Sequence, residues 1–265
     1  MDRWVLRYMV HFEIQYLLPQ MSENLASTKD PVGLHTLEVI AKADRFNRWM
    51  YDQFRGQLKG EILEIGSGIG NISKLVVEEG HSITLSDYNE EYCKELKRKF
   101  DGTKKVKEVI RIDLLDPEFE KKYSFYKERF DSIFLLNVIE HIKDDDLAIK
   151  NCKYLLKLNG HLILLAPAYS WLYSSFDKQL GHFRRYSLKS LSDLLKKNNF
   201  SLLTSSYFNC AGIGGWLLFG KILHQKMLSS SEMSAFNKIV PIAKGIDKLF
   251  GKRLGLSAIV TGIKK

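Results

Sequence analysis

The run Glu64-Ile-Gly66-Ser67-Gly68-Ile-Gly70-Asn71 is the segment of this chain best suited to hold a ligand. Glycines at alternate positions let a backbone turn tightly and approach a bound molecule closely. The spacing is G-x-G-x-G. A dinucleotide fingerprint is G-x-G-x-x-G, which sets a pyrophosphate on a helix N-terminus. A ligand without pyrophosphate therefore fits better. Glu64 offers a carboxylate to a cationic part of that ligand. The bland alternative is a tight turn that binds nothing. Asp87 follows Gly66 by 21 positions. An acid at the end of the second strand accepts both hydroxyls of a ribose. Tyr88 beside it presents a flat face to a base. Asp113, followed by Leu114, ends a third strand and is placed to accept from the amino group of an adenine. A solvated loop acid or helix cap is the competing reading of Asp113.

A second group lies further on. His141 and His182 are the candidates to take a proton from a reacting oxygen or nitrogen, because histidine titrates near neutrality. Each has an alternative as a structural histidine. Tyr173, Asp177, His182, Arg184, Arg185 and Tyr186 concentrate in one stretch. Arginine forks suit carboxylates and phosphates, so Tyr173, His182, Arg184, Arg185 and Tyr186 are expected to meet the substrate. The alternative makes Arg184 and Arg185 surface ion-pair partners, with Ser187 only a helix cap.

Alternating elements must position these residues. Leu37, Ile40, Ala43, Phe46, Met50 and Phe54 recur at helical spacing, after a polar loop at 21–34. Strands are expected at 62–65, 82–86, 108–112, 130–136 and 161–166, with helices at 71–79, 90–100 and 147–156 between them. Runs such as IFLL and LILL fit strands buried on both faces of a parallel sheet. A helix after Ser187, a strand near 200–208, helical segments near 213–228 and 232–250, and a strand at 256–263 complete the chain. The last strand is expected to pair antiparallel with the 200–208 strand. The reading is an α/β fold: a doubly wound, Rossmann-like, seven-stranded sheet, mostly parallel with an antiparallel last strand. Its parts are an N-terminal extension at 1–34 and one domain at 35–265 carrying a helical insertion at 211–255.

The run ILEIGSGIGN with Asp87, Asp113 and Asn137-Val138-Ile-Glu140-His141-Ile resembles the class I S-adenosylmethionine-dependent methyltransferases. The resemblance spans about 35–265. A narrower likeness is to bacterial enzymes carrying ADRFNRWMY, GHFRRYS and GLSAIV, here Ala43–Tyr51, Gly181–Ser187 and Gly255–Val260. The resemblance implies S-adenosyl-L-methionine as cofactor, with Glu64 toward its amino-acid part and Asp87 on its ribose. It also implies that Asn137 and Val138 line the cofactor beside the transferable methyl, with Glu140 and His141 further out. The cofactor supplies the electrophile; the protein supplies position and desolvation.

Composition narrows the partner. The chain has 265 residues and a net charge of +9, which favours acidic partners. Cys93, Cys152 and Cys210 are scattered, so neither a disulfide framework nor a zinc spacing is visible and no metal is expected. The N-terminal segment is interrupted by charges and reads as no signal peptide; either Met1 or Met21 is its start, and the expected place is the cytoplasm. Asn198–Gly220 carries no charged residue, yet its serines, threonine, asparagines and glycines read as a strand and a short apolar helix rather than a membrane span. The insertion is apolar and basic at once: Ile213, Trp216, Leu217, Phe219 and Leu223 lie near Lys221 and Lys226. Residues 221–265 hold nine Lys and Arg against two Asp and Glu, or +7. Such a stripe suits a lid, a homodimer contact or a peripheral membrane contact. The expected acceptor is a small molecule or a glycan- or lipid-linked intermediate. Nucleic-acid methylation is the first rival, disfavoured because no RNA-binding domain or basic aromatic stripe is visible. A nicotinamide or nucleotide-sugar oxidoreductase and a non-catalytic cofactor-binding protein are the others.

Overall fold

The computed structural model describes residues 30–265 apart from Lys226 and Leu228. Most of the expected N-terminal extension lies outside the described residues. Within them, Val32–Lys265 folds as one unit.

The sheet has seven strands in the order β3-β2-β1-β4-β5-β7-β6. They are β1 (Ile62–Ile65), β2 (Ile83–Asp87), β3 (Val106–Arg111), β4 (Phe130–Leu136), β5 (Leu156–Pro167), β6 (Phe200–Phe208) and β7 (Ser257–Lys264). β1 pairs in parallel with β2 and β4. β7 is the antiparallel strand, inserted between β5 and β6. Chain order reverses between β1 and β4. That switch point opens a crevice beyond the strands' carboxyl ends.

Alternate residues of the central strands feed opposite cores, because side chains alternate across a pleated strand. Leu63, Ile133, Leu135, Leu162 and Leu164 pack toward Ile149 and Cys152 of helix α6 (Asp145–Leu155) and Leu191 and Leu195 of α8 (Leu188–Lys197). Ile62, Phe134, Ile163 and Leu165 pack on the other face, toward α3 (Asn71–Glu78) and the aromatic residues Trp49 and Phe54. α4 (Glu90–Lys99) follows β2; the short α5 (Phe119–Lys122) and α7 (Ser175–Gln179) precede β4 and α8.

The single helix expected across Leu37–Phe54 is two helices, α1 (Pro31–Ala41) and α2 (Asp44–Tyr51). The polar stretch expected as a loop through residue 34 already turns helical at Pro31. A proline at the first helical position loses no hydrogen bond, and its fixed φ suits the helix. The break has a partner: Asn47 Nδ2 donates to Ile40 O at 2.8 Å, closing the end of α1.

The insertion after β6 contains α9 (Ala211–Trp216), continuing as a π-helical turn over Leu217–Ile222, and α10 (Ser230–Leu249). Buried Asp247 of α10 accepts the backbone N–H groups of Asn209 and Cys210, both at 2.6 Å. Those two charge-assisted bonds fasten the insertion to the end of β6. Gly255 then enters β7 against the backbone of Phe208. A Cβ there would lie 2.3 Å from Phe208 O, so no larger residue fits. No described helix is long and apolar enough to cross a membrane.

Candidate functional site

The glycine loop leaves β1 at the switch point. Gly66 N and Ser67 N both donate to Ser86 O of β2, at 2.9 and 2.8 Å. Gly66 has φ +76°, and a Cβ there would sit 2.3 Å from Val138 Cγ2. The first loop glycine is thus required both by its left-handed backbone and by the residue that follows β4. Gly70, also left-handed, precedes the first turn of α3. Asp87 is buried and ties the loop down: one oxygen accepts from Gly68 N at 2.9 Å, the other from Asn89 N at 2.8 Å.

Glu64 is buried in β1 and accepts a hydrogen bond from Ser73 Oγ of α3. Burial pushes its carboxyl up to about 7, against the opposing pull of Ser73 and Ser67. Asn71 Nδ2 donates to Leu37 O at 3.0 Å. A Cβ on Gly68 would meet Leu37 at 2.9 Å, so α1 lies over the loop. By its spacing in the sequence Leu37 is only part of a helical stripe. Tyr88 is exposed, with the Arg111 guanidinium 5.3 Å from its ring centre. Asp113 caps its own turn by accepting from Leu115 N at 2.9 Å, and Leu114 is buried. Asn137 follows β4 with φ +53° and is exposed; its N–H donates to Leu165 O at 2.8 Å.

The second group gathers around the turn after β4. Phe183 N donates to Glu140 O at 2.8 Å, and this backbone bond seats the Gly181–Ser187 stretch on the turn after β4. The His141 and His182 rings meet edge to face, 4.6 Å apart. Asp177 organises the stretch from below. Fully buried, it accepts from His182 Nδ1 and Arg185 Nε, both at 2.8 Å, and from Ser174 N at 2.8 Å. Burial alone would raise the Asp177 carboxyl, but the His182 hydrogen bond and the Arg185 charge outweigh it and hold it below the ordinary value. An ionised carboxylate only accepts, so Nδ1 of His182 carries a proton and donates it to Asp177.

Glu140 is fully buried, and among the described residues neither of its carboxylate oxygens meets a well-formed hydrogen-bond partner. Burial pushes its carboxyl up to about 8, opposed by the charge of Arg185. One donor atom from each of Glu140, His141 and His182 lies within 4.8 Å of the others.

The expected substrate residues divide. His182 faces the cluster, and Arg184 is half-buried, paired with Asp145 at 2.7 Å. Arg185 has a fully buried side chain: Nη1 donates to Ala168 O at 3.0 Å, and the guanidinium lies 4.5 Å from the Trp216 ring centre. Tyr186 is buried and donates to Asp145 at 2.7 Å. Tyr173 donates to His182 O at 2.6 Å. Arg185, Tyr186 and Tyr173 therefore shape the stretch from within. Trp216 was expected only as part of the apolar stripe of the insertion, and Glu140 only as a motif residue set back from the methyl; their places against Arg185 and between the two histidines appear on folding.

Residues 33–205 match a family model described as a methyltransferase domain. The chain belongs to that family. Over 158 residues it is 30% identical to a ubiquinone biosynthesis O-methyltransferase of Pelagibacter ubique, covering 54% of this chain and 62% of that protein. Over 168 residues it is 28% identical to probable polyketide synthase 41 of Dictyostelium discoideum, covering 56% of this chain but 7% of the synthase. The chain thus spans a small part of such synthases and less than two thirds of the shorter relative. Among solved structures, a SAM dependent methyltransferase from Archaeoglobus fulgidus superposes with a TM-score of 0.56 at 16% identity, over 83% of this chain and 94% of that one. That likeness concerns the fold: a Rossmann-like sheet of the methyltransferase kind.

Proposed function

We propose that the protein transfers a methyl group from S-adenosyl-L-methionine to an oxygen or nitrogen of a small-molecule or glycan- or lipid-linked acceptor. One observation carries this reading. The turn after β4 touches both groups: Val138 lies against Gly66 of the glycine loop, which Asp87 ties down, and Glu140 and His141 of the same turn gather with His182. A cofactor-binding side and an acceptor side therefore meet at one place. Asp87 would exchange its present bonds, or add to them, on taking the ribose hydroxyls. Glu64 and Ser67 would face the amino-acid part, Tyr88, Asp113 and Leu114 the adenosine, and Asn137 and Val138 the methyl. On the acceptor side His141, which is exposed, and His182, held by Asp177, are the groups to receive the acceptor's proton. Arg184 completes the rim.

The insertion supports a lipid-linked or membrane-surface acceptor. Ile222, Ile242 and Leu249 are exposed at 68%, 67% and 83%, and Lys221, Lys244 and Lys248 are their neighbours in sequence. Exposed apolar groups with lysines beside them suit a membrane interface. Mass spectrometry of the protein with methyl-labelled S-adenosylmethionine and fractionated cell extract tests the function. The expected result is a labelled product heavier by one methylene, in the lipid-extractable fraction if the membrane reading holds. Label that stays in the cofactor with every fraction would overturn the proposal.

A further inference from the structure

Glu140 poses a problem that methyl transfer by itself does not solve. A buried carboxylate ordinarily has several hydrogen-bond partners, and leaving a buried polar group bare is costly. Among the described residues both Glu140 oxygens lack one, and the residue has no solvent exposure. Next to it stand two imidazoles rather than an apolar wall. We propose that Glu140, His141 and His182 form a binding site for one divalent transition-metal ion, with zinc, cobalt or ferrous iron as its chemical class.

The geometry fits. Bonds from such an ion to imidazole nitrogen or carboxylate oxygen are about 2.0–2.2 Å, so the donors of a tetrahedral set stand about 3.4 Å apart. The three donor atoms here lie within 4.8 Å of one another. Side-chain movements that bring the widest pair together by about 1–1.5 Å close the site. The donor set is selective. Two imidazoles with one carboxylate suit zinc and its transition-metal neighbours, whereas magnesium and calcium prefer oxygen throughout.

The surroundings fit as well. A metal-bound histidine usually donates its other ring N–H to a carboxylate, which fixes the tautomer. His182 does this toward Asp177 at 2.8 Å, leaving Nε2 for the ion. Arg185 locks Asp177 in turn. His141 is exposed and supplies the entry path, while Glu140 is buried at the back. Three protein ligands leave at least one coordination position open.

This inference deepens the proposed acceptor site and rests on it only for what fills the open position. An acceptor hydroxyl bound there would lose its proton to solvent more readily, as metal-bound water does. Its oxygen would then form the bond to the methyl carbon, while the carbon–sulfur bond breaks and its electron pair stays on sulfur. The products are the methyl ether and S-adenosylhomocysteine. In that arrangement the two histidines are ligands rather than bases.

Cobalt(II) titration of the purified full chain, followed by calorimetry and visible absorption, tests the site without any acceptor. The expected result is one cobalt per chain with ligand-field absorption bands, displaced by zinc. His141→Ala alters an exposed side chain, so it keeps the fold as monitored by circular dichroism, and it should weaken binding at least tenfold. Glu140→Gln should do the same. Asp177→Asn, which touches no metal, should weaken binding by about 10–100-fold. Absence of stoichiometric cobalt binding, or cobalt bound equally by wild type and His141→Ala, would overturn the metal site. Neither outcome would touch cofactor binding or label transfer, which report on the methyltransferase reading separately.

Discussion

Replacing Gly66 with alanine should damage the protein in two separable ways. The residue has φ +76°, and for an L-residue the left-handed region costs roughly 1–2 kcal/mol. The new Cβ would also lie 2.3 Å from Val138 Cγ2, well inside contact distance. Forcing extra volume into a packed site costs typically about 1–3 kcal/mol. The expected loss is therefore about 2–5 kcal/mol. The second part depends on one methyl group. Val138 Cβ and Cγ1 would both stand 3.5 Å from the new atom, an ordinary contact. In a Gly66→Ala, Val138→Ala double variant the clash is gone and only the backbone strain remains. Urea denaturation of wild type, both single variants and the double variant completes a mutant cycle. The double variant should be more stable than additivity predicts by about 1–3 kcal/mol. A coupling energy of zero would refute the claim that the residue after β4 presses on the glycine loop, and with it the placing of Val138 at the meeting point of the two sides.

The other predictions concern the residues around that point. Asp87→Ala should lower affinity for S-adenosylmethionine at least about tenfold, equivalent to about 1.4 kcal/mol, as read by calorimetry on folded protein. Glu64, with its carboxyl raised to about 7 from an ordinary 4.5, keeps a proton in the folded state that the unfolded chain has already lost between those values. Stability must then fall as pH rises through that window and stay low above it, by an amount on the order of 3 kcal/mol. Glu64→Gln should remove this pH dependence, and equal slopes for wild type and variant between pH 5 and pH 7 would contradict it. Arg185→Ala strips a fully buried carboxylate of its cation and should cost about 3–5 kcal/mol of stability. Arg184→Ala breaks a half-exposed pair, should cost no more than about 1 kcal/mol, and should show its effect in KM once an acceptor is known.

The alternation of strands and helices was legible because the signals are local and repetitive; the order of the strands in the sheet was not, and β5 begins at Leu156, ahead of the expected 161–166, because Asn159-Gly160 lies within the strand instead of ending a helix. The apolar run of β4 and the glycines after β1 declare themselves within a few residues, and the antiparallel β7 follows from the late strand pair. The break between α1 and α2 was not legible: the apolar spacing runs through it, and the Asn47 bond that closes α1 is invisible until the chain is folded. On the cofactor side, residues with special backbone demands stood out, Gly66 above all. On the acceptor side Arg184, Arg185, Tyr186 and His182 are linked in the sequence only by proximity. Folding turns neighbours to opposite sides: Arg184 toward the surface, Arg185 inward to Asp177 and Trp216. Glu140 and His182 stand 42 positions apart, joined by the backbone bond from Phe183 to Glu140. Cysteine spacing, on which the expectation of no metal rested, carries no information about such a pairing.

The central claim is that the switch-point crevice takes S-adenosylmethionine. Calorimetry of the purified chain with S-adenosylmethionine, S-adenosylhomocysteine and NAD in parallel tests it most directly. The account predicts stoichiometric binding of the first two, weakened at least about tenfold by Asp87→Ala, and no heat from NAD. Binding of NAD with none of either S-adenosyl ligand would contradict it.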